Sequence, residues 1–119
     1  MLYGLTGELA YLADARRAAD ATLNFLSDGN GVLKDEGTGD GGGFKMIFVR
    51  YLVYLYEADR TQTQYLDFLQ RNARMALEEA RNEQGLFGPS WAGPPPLGRV
   101  ESLTNAAAVG LLNMVAGLK

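Results

Sequence analysis

Histidine and cysteine are both missing from the 119 residues. Without cysteine, disulfides and thiolate metal sites are excluded, and the redox compartment cannot be read. Without histidine, the commonest general base, the commonest metal ligand and the side chain that titrates near neutrality go together. Chemistry would therefore fall to carboxylates, lysine or tyrosine, and no cofactor or metal is expected. A basic stripe is missing too. Eleven Lys and Arg stand against fourteen Asp and Glu, for a net charge of −3 and a pI near 4.8. The cations are scattered, never more than two in a row (Arg16-Arg17), so nucleic acid is not the expected partner. The longest uncharged stretch, Ser102 to Leu118, is too short and too rich in Ala, Gly and Asn for a membrane span. No basic, apolar leader follows Met1, and localisation is not legible. Apolar residues at 47% and charged residues at 21% are ordinary for one globular domain.

What is present is a repeat. A shift of 54 residues places Tyr11-Leu12 on Tyr65-Leu66, Ala19 on Ala73, Leu23 on Leu77, Asp28 on Asn82, Gly31 on Gly85 and Val32 on Leu86. Each unit reads as helix, glycine turn, short apolar step, long loop and second helix. The first helix is expected over about 8–27, with Leu9, Leu12, Ala19, Leu23 and Leu26 on one face and Thr6 as its cap. The third is expected over about 63–81, with Tyr65, Leu69, Ala73, Ala76 and Ala80 on its apolar stripe. Both read as outer helices with one buried side.

The second helix (about 44–58) and the fourth (about 103–118) differ. From Met46 to Tyr56 only Arg50 is charged, and the fourth carries no charge at all. A helix apolar all round is expected to be enclosed all round. The run has no period of two and exceeds a usual strand, so it is not read as β. The order outer, inner, outer, inner is that of a toroid of helical hairpins, here with units of about 6–58 and 61–118. The fold class expected is all-α, about two hairpins of such a toroid, as a single partial domain over 1–119. By the same shift Met1 corresponds to Leu55, near the end of an inner helix. The expectation is a chain that opens inside a structural unit: a fragment, a truncated gene product, or a chain that completes itself with copies through exposed inner-helix faces.

Loop lengths are polarised. Outer-to-inner connections, 28–43 and 82–102, are long; the inner-to-outer turn at 59–62 is short, and 5–7 looks like another. Long loops beside rigid elements carry sites, and these lead into inner-helix N-termini, where backbone amides face the rim. A site is expected at the mouth formed by 40–45 and 101–105. Asp28-Gly29-Asn30-Gly31 opens like a calcium loop, but Val32 and Leu33 follow, and a tight turn is the better reading. Gly39 to Gly43 lacks the pattern of a phosphate loop.

The segment Gly41-Gly42-Gly43-Phe44-Lys45-Met46-Ile47-Phe48-Val49-Arg50-Tyr51-Leu52 resembles the Phe-Lys-Gly…Phe…Arg-Tyr-Leu signature of glycoside hydrolase family 76. Gly88-Pro89-Ser90-Trp91-Ala92-Gly93-Pro94 is similar to that family's Trp-containing, Gly/Pro-rich loop. The resemblance covers essentially the whole chain and matches the C-terminal part of the family. It implies an (α/α)6 barrel acting on α-1,6-linked mannan, usually as an endo-acting, retaining hydrolase whose two catalytic aspartates are neighbours in the N-terminal half. Retention needs a nucleophile and an acid/base on either side of the sugar. This chain has no Asp-Asp pair; Glu78-Glu79 sits mid-way along an outer helix, and Asp35-Glu36 lacks the family context. Met46 stands where the family usually has glycine, and is expected to narrow the cleft.

Six residues are expected to face substrate: Asp40, Phe44, Lys45, Arg50, Trp91 and Glu101. Four of them carry an alternative. Lys45, opposing the helix dipole in a first turn, either meets a ligand or snorkels to solvent. Arg50, in an apolar helix, either pairs with Glu57 or Glu101 or touches sugar. Asp40 is a turn or cap residue or an acceptor for sugar hydroxyls. Phe44 packs in the core or stacks on a pyranose, and Trp91 is offered as a stacking surface. The function expected is a carbohydrate-active, α-1,6-mannanase-like chain that supplies part of a glycan cleft and is inactive alone. The alternatives are a non-catalytic glycan-binding or scaffold module, and another toroid enzyme such as a sugar epimerase or unsaturated-uronyl hydrolase. The missing histidine weighs against the epimerase.

Overall fold

A computed structural model describes residues 6–37, 39–95 and 100–118; the Asp40 side chain lies outside that description. Its helices are α1 (Leu9–Phe25), α2 (Phe44–Ala58), α3 (Thr63–Glu79) and α4 (Ser102–Ala116), with a 3-10 turn, Gly39–Gly43, running straight into α2. The charge-poor helices α2 and α4 pack on each other, α3 lies across both, and α1 rests on α2. Among the described residues, β pairing is limited to two isolated antiparallel bridges. The expected turn at 5–7 and the first residues of the chain lie partly outside the described residues.

The repeat survives atom by atom at the turns. Ser27 bridges Leu33 and Arg81 bridges Phe87, two pairs related by the 54-residue shift. Asp28 Oδ1 accepts from the Asn30 and Val32 N–H groups at 2.8 and 3.1 Å. Asn82 Oδ1 accepts from Gln84 and Leu86, both at 2.9 Å. Gly31 and Gly85 supply the left-handed corner, at φ 75° and 77°, a conformation that penalises any Cβ. The Asp28 carboxylate is thus spent on its own backbone, as a tight turn requires.

Asn72, on α3, anchors the first of these turns from below. It is fully buried. Its Oδ1 accepts from the Leu33 N–H at 2.8 Å, and its Nδ2 donates to the Gly31 carbonyl at 3.1 Å and the Phe68 carbonyl at 2.9 Å. At the other end of the hairpins, Asp59 Oδ1 closes the short α2–α3 turn by accepting from the Thr61 N–H and hydroxyl. Its other oxygen pairs with Arg16 of α1. Tyr65 on α3 donates to Asp20 of α1 at 2.9 Å.

Four expectations are corrected. Enclosure of the inner helices is one-sided: Lys45, Val49, Leu52, Val53, Leu55 and Tyr56 of α2 are buried, while Phe44, Ile47, Tyr51 and Tyr54 are exposed. Those four share one arc at helical spacing, and nothing described in this chain lies over it. In α1 only Leu12 and Ala19 are buried; Leu9 and Leu26, at its two ends, are exposed. Thr6 does not cap α1, whose N-cap is Glu8, although its hydroxyl accepts the Glu8 N–H. Met46 lies between the inner helices and does not narrow a cleft. A Cβ built on Gly110 of α4 would stand 2.6 Å from its sulfur, so Gly110 is the hole that Met46 fills.

Candidate functional site: the mouth at the N-termini of α2 and α4

The N-termini of α2 and α4 are brought together by the 3-10 turn, which packs on both helices. Three glycines make this close approach possible. A Cβ on Gly42 would meet Thr104 at 2.6 Å, one on Gly43 would meet Leu103 at 3.0 Å, and Gly39 adopts φ 65°. Two carboxylates tie the turn down. Glu36 Oε1 accepts the Lys45 N–H at 2.7 Å, satisfying an amide that α2 cannot pair internally. Glu101 Oε2 accepts the Gly39 N–H at 2.7 Å. Beside Glu101 is an open depression of about 520 Å³ lined by Gly39, Val100, Glu101, Ser102 and Leu103.

Behind this rim lies a buried cation. Lys45 is 5% exposed. Its ammonium donates to the Pro89 carbonyl and sits 4.3 Å from the centre of the Trp91 ring. Among the described residues it forms no ion pair. Burying an ammonium costs several kcal/mol. A cation–π contact offsets about 0.5–2 kcal/mol of this, and a charged hydrogen bond about 1.5–3. Desolvation wins: Lys45 is pushed down to about 8, against the opposing pull of Glu36 and then Asp35. Burial likewise raises the Glu36 carboxyl above its ordinary value, against its bond to the Lys45 amide.

Of the six residues expected at the site, Phe44, Arg50 and Glu101 are exposed. Phe44 opens α2 at 60% exposure, so core packing is not its role. Arg50 faces solvent and pairs with neither Glu57 nor Glu101; the buried ion pair expected of it is absent, because its position falls on the uncovered side of α2. Lys45 neither snorkels nor faces the mouth. Trp91, at 1% exposure, lies under the Lys45 cation, and among the described residues its indole N–H has no partner, so its ring is not an open stacking surface. Asp40 lies within the 3-10 turn, and its side chain is outside the described residues. Sequence reasoning did not single out Glu36, Thr104 or Asn105, although the last two fall within the expected mouth. Thr104 is buried against the turn, and Asn105 accepts the Phe87 N–H at 3.0 Å. Thr104 and Asn105 carried a signal, as polar positions opening an otherwise apolar helix; Glu36 carried none, since its partner lies across a loop.

A family model for glycosyl hydrolase family 76 matches residues 1–116, and the chain belongs to that family. Its fold is that of a helical-hairpin toroid seen in part. It is similar to the solved GH76A α-1,6-mannanase from Salegentibacter sp. HEL1_6, at 36% identity and a TM-score of 0.89, covering 97% of this chain and 35% of that one. An inactive variant of that mannanase, with two consecutive aspartates replaced by alanine and solved with α-1,6-mannotetrose, matches at 37% identity and a TM-score of 0.89. The Lin0763 protein from Listeria innocua matches at 32% identity and a TM-score of 0.86, over 97% of this chain and 33% of its own. The chain thus spans about a third of the length of these structures. No curated protein matches it.

Proposed function

We propose that this chain supplies one wall of an α-1,6-mannan-binding cleft in a family 76 glycoside hydrolase, and that the nucleophile and acid/base come from sequence other than these 119 residues. The observation that carries this reading is the similarity to a mannanase solved with α-1,6-mannotetrose, which extends over 97% of the chain. The mouth supports it. Phe44 offers an open aromatic face of the kind that stacks on a pyranose. Glu101 offers a carboxylate beside the depression for sugar hydroxyls, and Arg50 lies further along the same exposed arc. Asp40 belongs to this wall by its place in the turn. Lys45 and Trp91 enter as its buried support.

The catalytic part of the reading rests on chemistry. Retaining hydrolysis places two carboxyl groups about 5–5.5 Å apart across the scissile bond, and the inactive variant of the Salegentibacter enzyme replaces two consecutive aspartates. None of the seven aspartates here is adjacent to another. Incubation of the 119-residue chain with α-1,6-mannan is expected to release no reducing ends. α-1,6-Mannotetraose is expected to bind it in titration calorimetry, weakened by Phe44→Ala. Turnover would overturn the non-catalytic assignment, and absence of binding would overturn the cleft wall. Binding unaffected by Phe44→Ala would move the site off this mouth.

The second reading is a non-catalytic module that associates with its own copies through the exposed face of α2. The exposure of Ile47, Tyr51 and Tyr54 favours it, and light scattering of the chain at increasing concentration tests it.

A further inference from the structure

Lys45 sits where a cation is expensive. The described residues give its ammonium one hydrogen-bond acceptor, the Pro89 carbonyl, although it can donate three bonds. The other neighbour from the loop at 87–95 is the Trp91 ring. Among the described residues the acidic groups that act on it, Glu36 and Asp35, both precede the 3-10 turn, and neither reaches ion-pair distance. Glu36 is already committed to the Lys45 amide. Glu101, the N-cap of α4, turns its carboxylate to Gly39 instead. The Trp91 loop contributes a carbonyl and a ring, and no charge, to this contact.

We propose that Lys45 is a positioning residue that couples the Trp91 loop to protonation, so that the loop seats most firmly on α2 when the Lys45 amine is neutral and is loosened when the amine gains a proton. The neutral amine keeps a donor for the Pro89 carbonyl and lies against the indole without the desolvation cost of the ammonium. The direction follows from linkage. Seated, the group titrates near 8; freed into solvent it returns toward 10.5. Between those values the seated state holds fewer protons, so seating strengthens as pH rises through that window and is weakest, and constant, below it. Phe87 begins the same loop on Asn105 of α4, and Val100, just beyond it, lines the depression. Through Asn105 the seated loop is tied to the first turn of α4, beside the mouth.

Trp91 is the sole tryptophan, so its accessibility can be read without labelling. The test is acrylamide quenching of the intact 119-residue chain from pH 7 to 9.5, normalised to a free tryptophan amide. Wild type should become harder to quench by roughly twofold or more, since opening falls by up to about tenfold per pH unit in the window. Lys45→Met should show the low value at every pH, with no slope. A flat wild-type profile overturns the proposal, as does a slope that persists in Lys45→Met. If Lys45→Met loses its helical circular dichroism, Lys45→Arg decides. That cation does not titrate in the range, so quenching should stay high and flat, and a surviving slope would be fatal to the proposal.

Discussion

Replacing Asn72 by alanine should be the most damaging single change among the polar residues of this chain. Asn72 makes three hydrogen bonds across the α3–turn junction, and its site is fully buried. Truncation leaves the Leu33 N–H, also buried, without a partner, a loss of about 1–3 kcal/mol. The Gly31 carbonyl is half-buried and its lost bond adds about 0.5–1.5 kcal/mol. The Phe68 carbonyl lies within α3, where it retains its helical acceptor role, so its loss is small. The expected total is about 2–4 kcal/mol, which at this chain length lowers Tm by roughly 8–16 °C. Asn72→Asp sharpens the test. A carboxylate keeps the acceptor for Leu33 but loses both donors and buries a charge, so at pH 7 it should be at least as unstable as the alanine variant. Acidification should narrow the gap, because a protonated acid regains one donor. Thermal unfolding followed by circular dichroism at pH 7 and pH 5 measures both. A loss below about 1 kcal/mol for Asn72→Ala, or a wild-type Tm for Asn72→Asp at pH 7, would refute the assignment of this side chain as the pin of the repeat.

Asp28→Asn should be neutral within about 0.5 kcal/mol, because Asn82 performs the same two backbone bonds in the second repeat; Asp28→Ala should cost about 1 kcal/mol by urea denaturation. Gly110→Ala should destabilise by about 1–3 kcal/mol, since the new Cβ would stand 2.6 Å from the Met46 sulfur; combining it with Met46→Ala should recover part of that loss in a double-mutant cycle. Tyr65→Phe should cost about 1 kcal/mol through its bond to Asp20. Tyr65 is pushed up to about 12, first by burial and then by Asp20. Its phenol is therefore protonated in the fold where the unfolded chain ionises, and wild type should lose stability as pH rises from about 10 to 12, a loss that the Phe variant should lack.

Helices, order and turns were legible because each rests on local signals. The expected 44–58 coincides with α2, and the others differ by one or two residues at their ends, where terminal turns fray. The repeat was legible because Gly31 and Gly85 must adopt φ near 75°, and Asp28 and Asn82 must both accept backbone N–H groups. The family was legible through a run of residues beginning at Gly41, and the comparisons bear it out. The mouth was legible only in outline. That α2 and α4 would meet at their N-termini followed from loop polarity, but which side chains turn inward did not. Lys45 and Phe44 are neighbours in one helical turn; one is buried and the other open. Their difference is set by the Trp91 loop, 44 residues from Lys45 to the Pro89 carbonyl. No local pattern carries such a distance. The burial expected of Arg50 failed for a related reason: apolar neighbours in sequence are not apolar neighbours in space.

The exposed surfaces of the helices fall into two kinds, and the distinction has energetic content. On α3 the side turned to water carries Asp67, Arg71, Arg74, Glu78 and Glu79, as expected of a face meant for solvent. On α2 it carries Phe44, Ile47, Tyr51 and Tyr54, with exposures of 47–60%. Complete burial of such a side chain contributes about 1.5–3 kcal/mol, so covering the exposed half of all four would add about 3–6 kcal/mol. That is comparable with the whole net stability of a small domain. Whatever covers this arc, whether a sugar ring at its Phe44 end, another helix or a second copy of the chain, must therefore stabilise the fold as it binds, since a partner of the folded state alone shifts the unfolding equilibrium by mass action. Site and stability are not separable on α2: the side chains that make its outer face sticky are the ones the fold has left unsatisfied.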